Sequence, residues 1–439
     1  MNLRKKLIFG SAIALMGLGV LTACGNSGSN ASQDGKTKIT FWAATNPTQY
    51  KFWQNMAKDF EKENPDITVE VSQMKESPTS EATIQAAIAS NTQPTMSENI
   101  SRSFAAQLAD SKAIIPLQKE KGFDDLVKQR DMSETMKNWE FSGGNEYVFP
   151  IYVNPMLFVW NTAELKKLGF DKAPTTYSEV EAIAKKAKEV NSKAVLWQSP
   201  NLTNATGYQR WFDFFLLYNA ASNGGDFVSN NEYKADAKSL SQVYGFMSNL
   251  SKAGALSTDK TEAPFEKGLS LTSVIGPWTF PYWEETFPEL KYGTNYNMAM
   301  PPAPDGTKEA DVKTFADSKG LVIYSKATDK EKEAAMNFME YVFKDSKNDL
   351  SWMETTSLTP ATDNATSKEE FKNYFEKNPG MKAYADAVSK AVPAMDNAKY
   401  SEIQQAFSEK AWIPVVNGKM NADDAVKETE KAVNGVLGK

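Results

Sequence analysis

The sequence predicts an α/β protein of two lobes. Three observations carry that expectation. Short alternating apolar runs recur between amphipathic segments, the order strand, helix, strand repeats in both halves of the chain, and about 400 residues after the leader suffice for two cores.

Lys38-Ile39-Thr40-Phe41-Trp42 alternates as a strand, and the next segment carries Trp53, Met56, Ala57 and Phe60 on one helical face. Asn64-Pro65-Asp66 ends that helix, and Ile67, Val69 and Val71 alternate in a second strand. A helix with Ile84, Ala87 and Ile88 follows, then a short strand near Pro94 to Met96, a helix around Phe104 and Leu108, and a strand at Ala113 to Leu117. This order implies a mostly parallel sheet with helices on both faces. Tyr147 to Tyr152 and Met156 to Trp160 read as strands separated by Asn154-Pro155, where the chain can cross between lobes.

The second half continues in the same style. A helix opened by Thr175 or Thr176 runs to about Val190, followed by a strand at Ala194 to Trp197 and an aromatic helix with Trp211, Phe214, Phe215 and Tyr218. Gly224-Gly225 marks a turn before a helix from Ala237 to Ala253. Strands are expected at Leu271 to Ile275, ending in Gly276-Pro277-Trp278, at Asn295 to Met300, and at Gly320 to Tyr324. An amphipathic helix from Asp329 to Phe343 leads into a mainly helical remainder.

The chain begins with a cationic stretch, Arg4-Lys5-Lys6, and an apolar run from Leu7 to Val20 that is short for a permanent membrane span, which is the pattern of an export signal. Leu21-Thr22-Ala23-Cys24 ends in the only cysteine of the chain and resembles a bacterial lipobox, which implies a signal peptide over 1–23 and a diacylglyceryl anchor on Cys24. Residues 24–37 then form the lipidated cysteine and a flexible polar tether.

Removing the leader takes 3 of the 49 basic residues, leaving 46 against 55 acidic ones, a net charge of −9 that argues against nucleic acid as a partner. The absence of histidine removes the Ser-His-Asp arrangement and the commonest transition-metal ligand. Neither a phosphate-binding glycine loop nor clustered metal ligands occur, so no metal and no cofactor are expected. An enzyme would be confined to something like a glycosidase with paired carboxylates.

Ile39-Thr40-Phe41-Trp42 and the run from Phe60 to Val69, together with the lipobox, resemble the opening of carbohydrate-type extracellular solute-binding proteins. Ala86 to Pro94, Leu108 to Leu117, Phe149-Pro150-Ile151, Phe158 to Leu165, Ile275-Gly276-Pro277-Trp278 and Lys319 to Lys326 resemble later signatures of that group, in order. Thr95 stands where the family often has aspartate, and Asn154 where maltose-binding protein has an acidic residue.

The resemblance implies the bilobed periplasmic-binding-protein-like fold of type II, two discontinuous α/β lobes joined by hinge segments. The N-terminal lobe would comprise 38–152 and 303–345, and the C-terminal lobe 153–302 and 346–439. It implies a monomeric lipoprotein on the extracytoplasmic face of a bacterial cell membrane that captures a carbohydrate, expected to be an oligosaccharide, and delivers it to the permease subunits of an ABC importer without chemistry on the ligand. A polyol or other solute is the alternative cargo, and a secreted glycosidase the alternative activity.

A sugar offers a rim of hydroxyls and a face of C–H groups, so its binder needs amides, carboxylates or arginine beside flat aromatics. Trp278 follows a strand that ends at Gly-Pro, which throws its ring off the carboxyl end of a sheet. Trp42 also ends a strand, with Asn46 in the loop beyond it. Glu98, Asn99 and Arg102 can pair with hydroxyls or serve near a helix cap, and Asn154 stands at the expected crossing. Tyr208 and Trp211 open the aromatic helix, Asp317 precedes the Gly320 strand with Lys319, and the resemblance places Tyr400 in a late ligand loop.

Overall fold

The computed structural model describes residues 35–76, 78–206 and 208–439. The expected signal peptide 1–23, Cys24 and the tether up to residue 34 lie outside the described residues.

The first sheet takes β1 (Thr37–Ala43), β2 (Ile67–Gln73) and β3 (Met96–Ile100) as parallel strands, β1 lying between the other two. Their helices start where the caps dictate. Asn46, Thr79 and Ser101 each accept a backbone N–H at the start of Pro47–Glu63, Ser80–Ala89 and Arg102–Asp110. The chain then crosses through β4 (Phe149–Pro155) directly into β5 (Leu157–Asn161), so Asn154-Pro155 does sit at a crossing.

The second sheet has the order β11 (Tyr296–Ala299), β5, β10 (Thr272–Ile275), β6 (Trp197–Gln198), β9 (Leu256–Ser257), with a separate hairpin of β7 (Val228–Ser229) and β8 (Glu232–Tyr233). Its long helices are Tyr177–Val190, opened by a capping box between Thr176 and Glu179, and Ala237–Lys252.

The chain returns through β12 (Thr314–Ile323), which pairs antiparallel with both β3 and β4, and touches β13 (Ala391–Val392) at its first residues. The sheets are therefore more mixed than the expected parallel order. A strand that re-enters a lobe from its neighbour arrives head-on to the strands already there, and β5 is likewise antiparallel to β10 and β11. Ala113 to Leu117 makes only a single bridge, Ile114 to Tyr324, before a short turn of helix. The aromatic helix splits into a turn at Gln209–Phe212 and a helix from Phe214, because Asp213 breaks the run and caps the second piece.

β12 bulges at Lys319/Gly320, and there it lies so close to its neighbour that a Cβ on Gly320 would strike the Phe149 carbonyl and the Val148 side chain. Two main cores flank the crossings. The first gathers Phe41, Trp53, Phe60, Phe104 and Phe338, the second Trp160, Phe214, Tyr244, Phe407 and Trp412. The packing does not follow the expected boundaries. Trp352, Leu358, Ala361 and Ala391, placed by the sequence in the C-terminal lobe, pack in the first core, while Phe315 of β12 packs in the second. Helical periodicity shows which face of a helix is buried but not which lobe buries it.

Buried polar groups tie these pieces together. The Arg130 guanidinium bonds the carbonyls of Pro150 and Ile151 in β4 at 2.7 and 2.8 Å and both carboxylate oxygens of Asp349.

Candidate inter-lobe binding site

β12 carries Phe315, Asp317 and Lys319 along the crossing, and an aromatic group from the second lobe lies against it. Trp211 stacks on Phe315 with ring centres 5.2 Å apart, Tyr208 lies 4.5 Å from Trp211, and Tyr400 lies 6.4 and 6.5 Å from the two. The Lys319 ammonium is 5.0 Å from the Trp211 ring centre and 5.7 Å from that of Tyr208, with Asp317 Oδ1 at 3.7 Å. At one end of this strip Tyr208 Oη donates to Glu81 of the first lobe at 2.5 Å. Burial, with Tyr400 and Glu81 nearby, holds the Tyr208 phenol well above its ordinary pKa.

At the other end the lobes enclose a cavity of about 480 Å³, of which Arg102, Trp211 and Tyr400 form part of the wall. Arg102 donates to the carbonyls of Ala394 at 3.3 Å and Glu140 at 2.5 Å, faces Asp396 at 3.6 Å, and lies over the Phe141 ring. Burial lowers its pKa against the pull of Asp396. Among the described residues its Nε has no partner, and neither do the amide oxygen and nitrogen of Gln404, which is almost fully buried on the cavity wall. A buried amide with both ends free is costly without a partner.

The lobes also bond directly. Gln107 donates to the Ala398 carbonyl at 2.6 Å, and the Ser142 hydroxyl donates to Asp396 at 2.6 Å.

Five of the expected residues, Arg102, Tyr208, Trp211, Asp317 and Tyr400, thus come together at the lobe boundary. The others have different surroundings. Both oxygens of Glu98 are taken, by Ala44 N–H and Trp53 Nε1–H at 2.5 Å each, so this fully buried carboxylate anchors the β1 loop to the first helix. Burial raises its pKa to about 7 against those two bonds. Asn154 is buried and its Oδ1 accepts from Thr359 N–H at 3.0 Å, which secures the crossing. Asn46 spends its oxygen capping a helix through Thr48. Asn99, in the left-handed region at φ 64°, donates to Ser80 at 3.3 Å, and Trp42 packs beside the first core.

Trp278 is 40% exposed and opens the helix Thr279–Thr286, its ring folded over Gly276, where a Cβ would collide with it. Sequence reasoning missed Gln404. Its spacing of four from Tyr400 on the helix Tyr400–Phe407 was the available signal.

What this arrangement can do is close on an uncharged solute that has both flat apolar faces and hydrogen-bonding edges. Among the described residues no group of three or more carboxylate, cysteine or histidine side chains could hold a metal ion, and no helix is long and apolar enough to cross a membrane.

Two lobes joined by crossings of the chain, with a polar, aromatic boundary, define a two-lobed binding protein. The chain belongs to the bacterial extracellular solute-binding proteins, a family of substrate receptors whose pattern matches residues 55–383. No curated protein matches the sequence. An uncharacterized protein of Listeria monocytogenes is similar over 92% of this chain and 100% of its own, with 56% identity and a TM-score of 0.90. The cyclic α-maltosyl-1,6-maltose binding protein of Arthrobacter globiformis shares the fold at a TM-score of 0.78 and 20% identity, over 92% of this chain and 99% of that one. A substrate-binding protein of Listeria monocytogenes solved with cycloalternan does so at 0.65 and 18%, over 92% and 99%.

Proposed function

We propose that the protein captures a neutral oligosaccharide between its lobes and presents it to the permease of an ABC importer, chemically unchanged. The observation that carries this reading is the strip of Tyr208, Trp211 and Tyr400 along β12, bordered by Asp317 and Lys319 and ending at the free amide of Gln404. Aromatic faces suit the C–H side of a pyranose, and amides and charged groups suit its hydroxyls. Two proteins of the same fold, those described with cyclic maltosyl-maltose and cycloalternan, have carbohydrate ligands. Trp278, exposed on a carboxyl strand end, is assigned to the same ligand as an outer stacking surface.

Closure is the working step. A ligand favours the closed form only by binding it more strongly than the open one. The bonds from Tyr208 to Glu81 and from Ser142 to Asp396 exist only when the lobes meet, so they add to the closed state. We assign the anchor to a diacylated Cys24, with the receptor acting as a monomer at the outer face of the cell membrane.

Thermal unfolding against a panel of mono-, di- and oligosaccharides and polyols tests the cargo, since a ligand of the native state raises the midpoint by mass action. A rise with one sugar class, with the sugar recovered intact, agrees with the proposal. A rise with polyols alone transfers the cargo to that class, and release of cleaved sugar refutes the receptor reading. Cys24→Ala is expected to move the protein from the membrane to the soluble fraction.

A further inference from the structure

A second cavity, of about 770 Å³, lies away from the strip just described, and none of the eleven expected ligand residues lines it. One wall is the helix Thr279–Thr286 and the chain up to Tyr296, on the second lobe. The other is built from the helices Ser346–Thr356, Lys372–Lys377 and Pro379–Asp386. Helix Ser346–Thr356 belongs to the first lobe by its packing, since its Trp352 lies in the first core and meets Phe52 at 5.1 Å. The helices approach closely because Gly380 has no side chain, as a Cβ there would press on the Phe280 ring at 2.7 Å.

The lining is mixed in a particular way. Phe280, Trp283, Tyr292 and Tyr374 supply rings, and the contacts of Trp283 with Phe280 at 6.4 Å and of Tyr292 with Tyr296 at 5.8 Å are edge-to-face. The indole N–H of Trp283 is already bonded to Glu266 at 2.7 Å, so this ring offers apolar surface and nothing polar. Around the rings stand the carboxylates of Glu284, Glu354 and Glu370, the amide of Asn373, and the ammonium groups of Lys291 and Lys377. Glu354 and Glu284 both lie near enough to Tyr374 to add to the rise that burial causes in its phenol pKa.

The carboxylates of Glu284, Glu354 and Glu370 disfavour an anion, and the rings between them offer apolar surface that a small ion would leave unused. The two lysines offset much of the negative charge that a cation would need. What remains is a neutral solute with hydroxyls at its rim and C–H groups on its faces. We propose that this groove is a second saccharide-binding site, which takes a stretch of neutral sugar chain. The inference rests on the reading that the protein meets carbohydrate.

The test is co-crystallisation of the protein with maltotetraose, cellotetraose and xylotetraose in turn, with saturation-transfer NMR on the same sugars in solution. The expected result is sugar density against Tyr292 and Tyr374 in the groove for at least one probe, together with a solution signal. Tyr292→Ala and Glu354→Gln should abolish the groove density, while affinity at the distant inter-lobe site changes by no more than about twofold. Glu354→Gln keeps the shape of an exposed side chain and so tests the site even if Tyr292→Ala folds poorly. Sugar between the lobes with an empty groove overturns this inference and leaves the carbohydrate cargo standing. Sugar in neither place overturns both, and groove density without any solution signal marks binding at crystal concentration only and overturns the second site.

Discussion

Replacing Arg130 by methionine keeps most of the side-chain volume but removes a guanidinium that is 2% exposed. Four hydrogen bonds go with it, two to β4 carbonyls and two to Asp349, as does the contact with the Phe343 ring at 4.2 Å. The larger loss is indirect, because Asp349, itself 3% exposed, is left as a buried carboxylate without its counter-charge. Breaking a buried pair in this way costs about 3–5 kcal/mol. Urea unfolding, read as the change in midpoint at constant slope, measures it. The companion variant Arg130→Met with Asp349→Leu removes both charges and should recover most of the loss, since an apolar replacement of a whole buried pair is close to neutral. A loss below about 1 kcal/mol, the range of exposed pairs, would refute the reasoning. So would a double variant no more stable than Arg130→Met alone.

Gln404→Leu should stabilise the unliganded protein by about 1–2 kcal/mol, since it deletes a buried amide without partners, and should weaken sugar binding about tenfold or more; calorimetric titration and thermal unfolding together check both halves. Glu98 ties stability to pH. Its folded-state pKa stands at about 7 against 4.5, so the folded protein holds this proton more tightly and loses stability as pH rises from about 4.5 to about 7, by about 3 kcal/mol at most, with a flat course above. Asp213, also raised to about 7 by burial, slopes the same way, so the difference between wild type and Glu98→Gln across pH 4.5 to 7 isolates the Glu98 share. Gly320→Ala should lower the unfolding midpoint by an amount equivalent to about 1–3 kcal/mol, as the added carbon meets a β4 backbone that has no room to shift.

Much of the fold could be read in advance because its devices are local. Thr175 or Thr176 marks a helix start, and the alternation from Lys38 to Trp42 marks β1, whose inward face carries Ile39 and Phe41. The direction of β12 and the lobe that owns Trp352 depend on contacts more than 150 residues apart in sequence, on which periodicity is silent. The site divides along the same line. Tyr208 and Trp211 were recognisable as aromatics opening a helix and Tyr400 through the family resemblance, and the three do converge. Glu98 and Asn154 look identical in sequence whether they face a ligand or a backbone N–H, and here each has its oxygen occupied from within the protein. The groove beside Phe280 could not be foreseen, since its two walls come from segments far apart in the chain, around Phe280 to Tyr296 and Leu350 to Met381.

The late return of the chain to the first sheet also constrains how the molecule is made. The first core draws on Phe41 near the start of the chain and on Val388 and Ala391 near its end, and its sheet lacks β12 and β13 until those residues exist. During synthesis the N-terminal lobe therefore has no complete nucleus to collapse around, and its slow, long-range pairings wait for almost the entire polypeptide. The consequence is an order of assembly: the second sheet, whose strands all lie between residues 157 and 299, can be complete before the first sheet has all of its strands.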